Sequence, residues 1–182
     1  LDLVSDTEIE INATTVDINA DIDVSGTSLF AGATTHSAGI QIADGGTIGS
    51  VSDTDAMTIS AAGLVTFSKP VVPATQTAAF SSLSSGVLNF DSFQNFVITL
   101  GTGTNTFGAP TTEAGNIGQT GTIILVQPSG GTAGTVTMHG DYKTIGNASL
   151  SLSSGLSKVD LVPYIIQSDN NILLGNTQLD FS

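Results

Sequence analysis

The sequence contains no cysteine, no tryptophan and no arginine, and three lysines stand against 16 acidic residues. Each absence removes a class of chemistry. Without thiols there is neither a disulfide framework nor a thiolate metal site, and cysteine usage leaves the redox compartment unreadable. A net charge of −13 repels phosphate backbones, so nucleic acid is not an expected partner. With no Trp and two Tyr there is little aromatic surface to stack on sugar rings. No apolar run approaches the ~20 residues of a membrane-spanning helix, and no charged-then-apolar signal segment opens the chain, so membrane insertion is not expected. A chain opening on Leu1 rather than Met is expected to be a processed or partial piece of something longer. Charge is scarce at 10% of residues, and mean hydropathy is +0.28. That is not the highly charged composition of a disordered chain, and the sequence is expected to fold.

What is present divides unevenly. The 182 residues suffice for one ordinary domain or two small ones. Residues 1–68 carry ten acidic residues and no lysine, whereas 69–182 carry six acids and all three lysines. Between them "KPVVPATQTAAFSSLSSG" (69–86) holds Pro70 and Pro73, which forbid a central strand, and ends in a Ser-rich turn composition. The expected organisation is a β-repeat shaft over 1–68, a linker over 69–86 and a β head domain over 87–182.

The shaft pattern is clearest in "EIEINATTVDINADIDVSGT" (8–27). Ile9, Ile11 and Ala13 alternate with Glu8, Glu10 and Asn12; the phase then slips by one residue, and Val16, Ile18, Ala20, Ile22 and Val24 continue against Asp17, Asn19, Asp21 and Asp23. A slip of one would flip every side chain of a straight strand, so Thr14 and Thr15 are expected at a corner or bulge. "AGIQIADGGTIGS" and "MTISAAGLVTFS" repeat the theme, with turns expected at Asp44-Gly45-Gly46 and Ala61-Ala62-Gly63. Strands of roughly five residues cannot cover their own apolar face and gain stability by stacking on neighbours, expected to be other copies of the same chain.

The second half reads as an antiparallel β-sandwich or jelly-roll-like domain. Strands are expected at 87–90, 95–100, 121–127, 135–139, 149–152, 159–167, 172–174 and 178–181, with at most one short helix around 75–83. The fold class is all-β.

Chemistry is sparse. His36 and His139, the only imidazoles, fall in different halves and make no multi-histidine metal site within one chain. No G-x-S-x-G elbow accompanies the available Ser, His and Asp residues. Asp21, Asp23, Asp53 and Asp55 offer oxygen ligands, but Ca²⁺ takes six to eight and the G-G-x-G-x-D repeat is absent, so the alternating acids read as a solvated face. The runs 101–105 and 115–118 are Gly-rich but open no helix, which leaves a phosphate cradle without its dipole. Glu8, Glu10 and Glu113 are the only glutamates from which to build a glycosidase pair. No catalytic, cofactor-binding or metal residue is assigned, and an enzyme is not expected.

"LDLVSDTEIEINATTVDINADIDVSGT" and "AGIQIADGGTIGSVSDTDAMTISAAGLVTFS" resemble the shaft-proximal parts of tail-fibre and related virion proteins of tailed bacteriophages, of the type that infect marine bacteria. The segment from "NFDSFQNFVITLGTGTNTFGAP" to "VDLVPYIIQSDNNILL" is similar, more loosely, to the C-terminal β domains of fibre tips and knobs. The resemblance implies a homotrimeric, non-enzymatic structural protein of the virion: a tail fibre or spike whose shaft displays a head for host attachment. Its partners would be other virion proteins and a host-surface receptor or glycan. Loops 101–108, 110–118 and 130–134 are the receptor-binding candidates, by position. A capsid decoration or fibre protein and an extracellular adhesin or surface-filament subunit are the alternatives. A polysaccharide depolymerase is less favoured, because the long β-helix with a carboxylate-lined groove is missing.

Overall fold

The computed structural model describes residues 38–181 together with 11, 14–16, 18, 22 and 24–36. The chain divides into two compact units, Leu1–Thr66 and Phe67–Ser182. Among the described residues there is no α-helix, and the fold is all-β.

The first unit is built on three short strands, β1 (Thr47–Ser50), β2 (Asp53–Ile59) and β3 (Val65–Phe67), in the order β1-β2-β3, with β3 ending at the unit boundary. β1 and β2 form an antiparallel hairpin in which Thr47 faces Thr58 and Ile48 faces Met57, and the register shifts between Ile48 and Ser50. Gly49 sits at that irregularity, where a Cβ would collide with the Asp53 carbonyl. The expected Gly63 turn is present: φ is +77°, and Gly63 N donates to Ser60 O at 2.9 Å. Asp44-Gly45 also turns the chain, and Gly45 N donates to Ile59 O.

Much of the acidic repeat lies outside the described residues, including Ile9, Ala13, Ala20 and every Asp and Glu from Asp2 to Asp23. Its described members Ile11, Val16, Ile18, Ile22 and Val24 belong to no strand, and all are more than half exposed.

The second unit centres on a seven-stranded sheet. In the order β4 (Thr75–Ala79), β5 (Asn95–Thr99), β7 (Thr120–Val126), β10 (Val159–Ser168), β11 (Asn171–Leu174) and β9 (Tyr142–Lys143), each strand bonds to the next; β12 (Gln178–Phe181) adds to β10. β6 (Gly103–Thr106) and β8 (Gly134–Thr137) form a separate parallel pair. β10 meets β7 along Val159–Ile165 on one side and is shared by β12 and β11 on the other. Pro163 is tolerated mid-strand because its missing N–H faces the gap between those two short strands, where its carbonyl accepts Gly175 N at 2.8 Å.

Period-2 alternation sends Phe96, Ile98, Ile123, Leu125, Val162, Tyr164, Ile166 and Ile172 to one face, where they are buried. The Phe90 ring fills the centre, with its centroid 4.7 Å from Phe96 and 5.0 Å from Tyr164. Leu88 and Phe107 are buried with them, and Val136, Met138, Leu150 and Leu152 pack against the cluster.

Several expectations need correction. The second unit is a mixed sheet rather than an antiparallel sandwich: β4-β5-β7, β11-β9 and β6-β8 are parallel. Parallel neighbours need long crossovers, and the stretches 80–94 and 100–119, the latter carrying β6, supply them. The stretch 69–86 is not wholly a linker, since β4 pairs with β5 in the sheet and 3-10 turns follow at Phe80–Ser82 and Ser84–Gly86. No helix forms around 75–83 beyond that first turn. Residues 87–90 make only an isolated bridge, Asn89 to Thr111, and 149–152 make no strand although Leu150 and Leu152 pack inward. Both segments have strand periodicity without a ladder partner.

Candidate functional site

The residues singled out for chemistry do not gather. His36 is exposed in the first unit with Nε2 3.2 Å from Thr34 Oγ1. His139, in the second unit, has Nδ1 3.1 Å from Asp141 Oδ2. Asp53 and Asp55 lie on β2, Asp21 and Asp23 lie outside the described residues, and among the described residues no three His, Asp or Glu side chains cluster. The glutamates Glu8 and Glu10 are likewise outside, and Glu113 precedes the 3-10 turn Ala114–Asn116.

The three candidate loops separate. Residues 101–108 are not an open loop, because they contain β6 and are pinned by buried Asn105, whose amide nitrogen donates to Gly101 O, Gly103 O and Thr135 O and whose Oδ1 accepts Gly101 N. Loop 130–134 lies beside it: a Cβ on Gly131 would meet Thr102 Cγ2 at 2.8 Å. Loop 110–118 sits at the other end of the sheet, where Gly118 N donates to Ile166 O and Thr112 Oγ1 donates to Asp169 Oδ1.

Fixed polar groups organise these ends. Gln127, 1% exposed, donates to Gly134 O and accepts Gly134 N, closing the loop after β7. Asp160, fully buried, accepts Ser153 N at 2.8 Å, Ser153 Oγ at 2.5 Å and Asp180 N at 3.2 Å. It thereby ties β12 and the 153 segment to β10. Its sequence signal is a lone acid in phase with inward Val162, Tyr164 and Ile166, which the strand pattern alone leaves unremarked. Tyr142 has its hydroxyl sealed from solvent without a hydrogen-bond partner. Burial, reinforced by the Asp141 charge, holds its pKa well above the ordinary phenol value.

A cavity of about 260 Å³ beside Tyr142 contains His139 and Lys143 among Thr137, Asn147 and Ser149. Both basic groups are engaged locally, Lys143 Nζ by Gly140 O and the imidazole by Asp141.

The most distinctive surface is the outward face of the large sheet. Registers place Thr77, Val97, Ile124 and Leu161 in one row across four strands. Ala79, Thr99, Val126, Val159 and Phe181 form the next. Thr122 faces Pro163, and Ile165 faces Leu173. Ile165 is 43% exposed, Leu173 36% and Phe181 49%. The only charged residue in register with these rows is Lys143, beside Leu173 at the β9 margin. Comparison of the chain with family models, curated proteins and solved structures returned no match to any of them.

Proposed function

We propose that this chain is a non-enzymatic structural component of a phage virion, a tail-fibre or spike segment. In this reading the first unit belongs to a homotrimeric shaft and the second is a head used for host-surface attachment. The observation that carries the reading is the absence of an internal core in the first unit: among the described residues, every buried large hydrophobic lies at Leu88 or beyond, while Leu29, Phe30, Ile40, Leu64 and Val65 are exposed. Apolar side chains left exposed among the described residues would find cover in other copies. The sequence resemblance to fibre shafts supplies the number three and the virion setting. Loops pinned at one end of the sheet by Gln127 and Asn105 suit a binding head better than a catalytic cleft.

Sedimentation of the full chain at micromolar concentration tests assembly, with about three times the 18.3 kDa chain mass expected. Antibody against residues 67–182 is expected to mark the tail tips of particles carrying the protein. A single-chain mass, or label confined to capsid faces, would reject the fibre reading.

A further inference from the structure

We propose that the uncharged outward face of the seven-stranded sheet is a contact surface between copies of this chain, an inference that rests on the homo-oligomeric reading above. Three observations lead there. First, β7 contains Ile123-Ile124-Leu125-Val126 and β10 contains Leu161-Val162-Pro163-Tyr164-Ile165-Ile166, unbroken apolar runs. A strand with one face in water alternates, whereas an unbroken run belongs to a strand covered on both faces; sheets with parallel pairs are the usual case. Here only the inward face is covered within the unit.

Second, the apolar side chains of this face are contiguous: Val97, Ile124 and Leu161 stand in one row and Val126, Val159 and Phe181 in the next, with Ile165 and Leu173 exposed beside them, and contiguous exposed apolar surface is where proteins meet partners.

Third, charge selects the occupant. Each copy carries −13, so copies approach most readily through a surface that brings no carboxylates together. The second unit provides one. Asp160 points inward, Asp91, Glu113 and Asp169 lie in the segments at one end of the sheet, and Asp141 adjoins the β9 margin. At the β12 corner Asp180 is neutralised by Lys158, 2.7 Å away.

The absence of cysteine makes the test clean, because one introduced thiol per chain is the only thiol. In the native full-length protein, Ile165→Cys is expected to react with a maleimide at least tenfold more slowly than Thr132→Cys on the exposed loop, with equal rates in denaturant. Leu173→Cys is the second position should Ile165→Cys not fold. At the rim, Phe181→Cys with a short bis-maleimide is expected to give covalent dimers, which with one thiol per chain can only join two copies. Equal labelling of Ile165→Cys and Thr132→Cys would show an open face and overturn the proposal. Protection without dimers from Phe181→Cys would place a different occupant there and overturn it as well. Sedimentation of the parent separates the two levels: a multi-chain mass with an open face removes this surface but leaves assembly standing, and a single-chain mass removes both.

Discussion

The two units place the same kinds of side chain in opposite surroundings. In the second, Phe96, Ile98, Ile123 and Val162 are at most 1% exposed around the Phe90 ring; in the first, Leu64 is 66% exposed, Phe30 71% and Leu29 92%. Both use short strands and Gly turns, so composition does not explain the difference. Layering does: the large sheet has loops and a second strand pair over one face, whereas the β1-β2-β3 sheet leaves Met57 and Ile59 only half-buried and Ile48, Val65 and Phe67 exposed. Under the fibre reading proposed above, the second unit would hold its shape alone and the first would depend on neighbouring copies.

The largest expected effect sharpens that contrast. Phe96→Ala removes a buried ring that contacts Phe90, Phe93 and Tyr164, and should destabilise the second unit by about 3–5 kcal/mol. Leu64→Ala should cost under about 0.5 kcal/mol in an isolated chain, with any larger loss appearing only where copies assemble. Both tyrosines, Tyr142 and Tyr164, lie in the second unit, so the tyrosine band of the near-UV circular dichroism reads Phe96→Ala during denaturation, while hydrogen exchange at the β2 and β3 amides reads Leu64→Ala. Comparable losses in the two variants would dissolve the distinction.

Asp160→Ala comes next. It removes the buried acceptor of half-buried Ser153 N and Oγ and of Asp180 N, which keeps only Ser153 Oγ, and a loss of about 1–2 kcal/mol is expected, with β12 amides exchanging first. In the first unit Asp55→Ser, on an exposed side chain, should move stability by less than about 0.5 kcal/mol. If β12 stays protected in Asp160→Ala, the carboxyl is not what holds it.

Period-2 alternation made β5, β7, β10, β11 and β12 legible in the sequence to within about two residues, as well as the Gly63 turn, because each reflects local chemistry. Strand direction was not legible. Short spacing between Gly and Ser clusters suggested hairpins, but the crossovers at 80–94 and 100–119 are packed by Leu88, Phe90 and Phe107, contacts that exist only in three dimensions. β4 was hidden for a similar reason: "TQTAA" has weak strand character and owes its ladder to β5. Of the candidate site, the scarcity of charged side chains in the second unit followed from composition. The neutral outer face did not, since it needs registers across six strands to become visible.

A smaller perturbation asks whether the units can be disturbed separately. Gly49→Ala drives a methyl into the Asp53 carbonyl at the β1-β2 irregularity and should cost about 1–3 kcal/mol there. Hydrogen exchange should speed up at β2 amides while the tyrosine dichroism of the second unit stays unchanged. A lower melting midpoint in that dichroism would mean that the hairpin supports the second unit.

The smallest expected effect has the opposite sign. Tyr142 is packed with its ring 6.3 Å from Phe90 and its hydroxyl buried without a partner, so Tyr142→Phe removes a desolvated polar atom and keeps the packing. A gain of under about 1 kcal/mol at neutral pH follows. pH provides the sharper signature. Burial first, and the Asp141 charge second, raise the folded pKa of Tyr142 above its ordinary value near 10. As pH climbs past about 10 the unfolded chain loses this proton while the folded chain keeps it, so the unfolded state binds fewer protons and stability falls. The parent should therefore weaken above about pH 10 more steeply than Tyr142→Phe. Some decline remains in the variant, because burial also raises Tyr164, with the Gln119 hydrogen bond opposing it. Denaturant midpoints between pH 7 and 11 decide the matter: parallel curves, or a loss above about 1 kcal/mol at pH 7, would mean that the hydroxyl has a partner in solution and that the core of the second unit is less dry than its packing indicates.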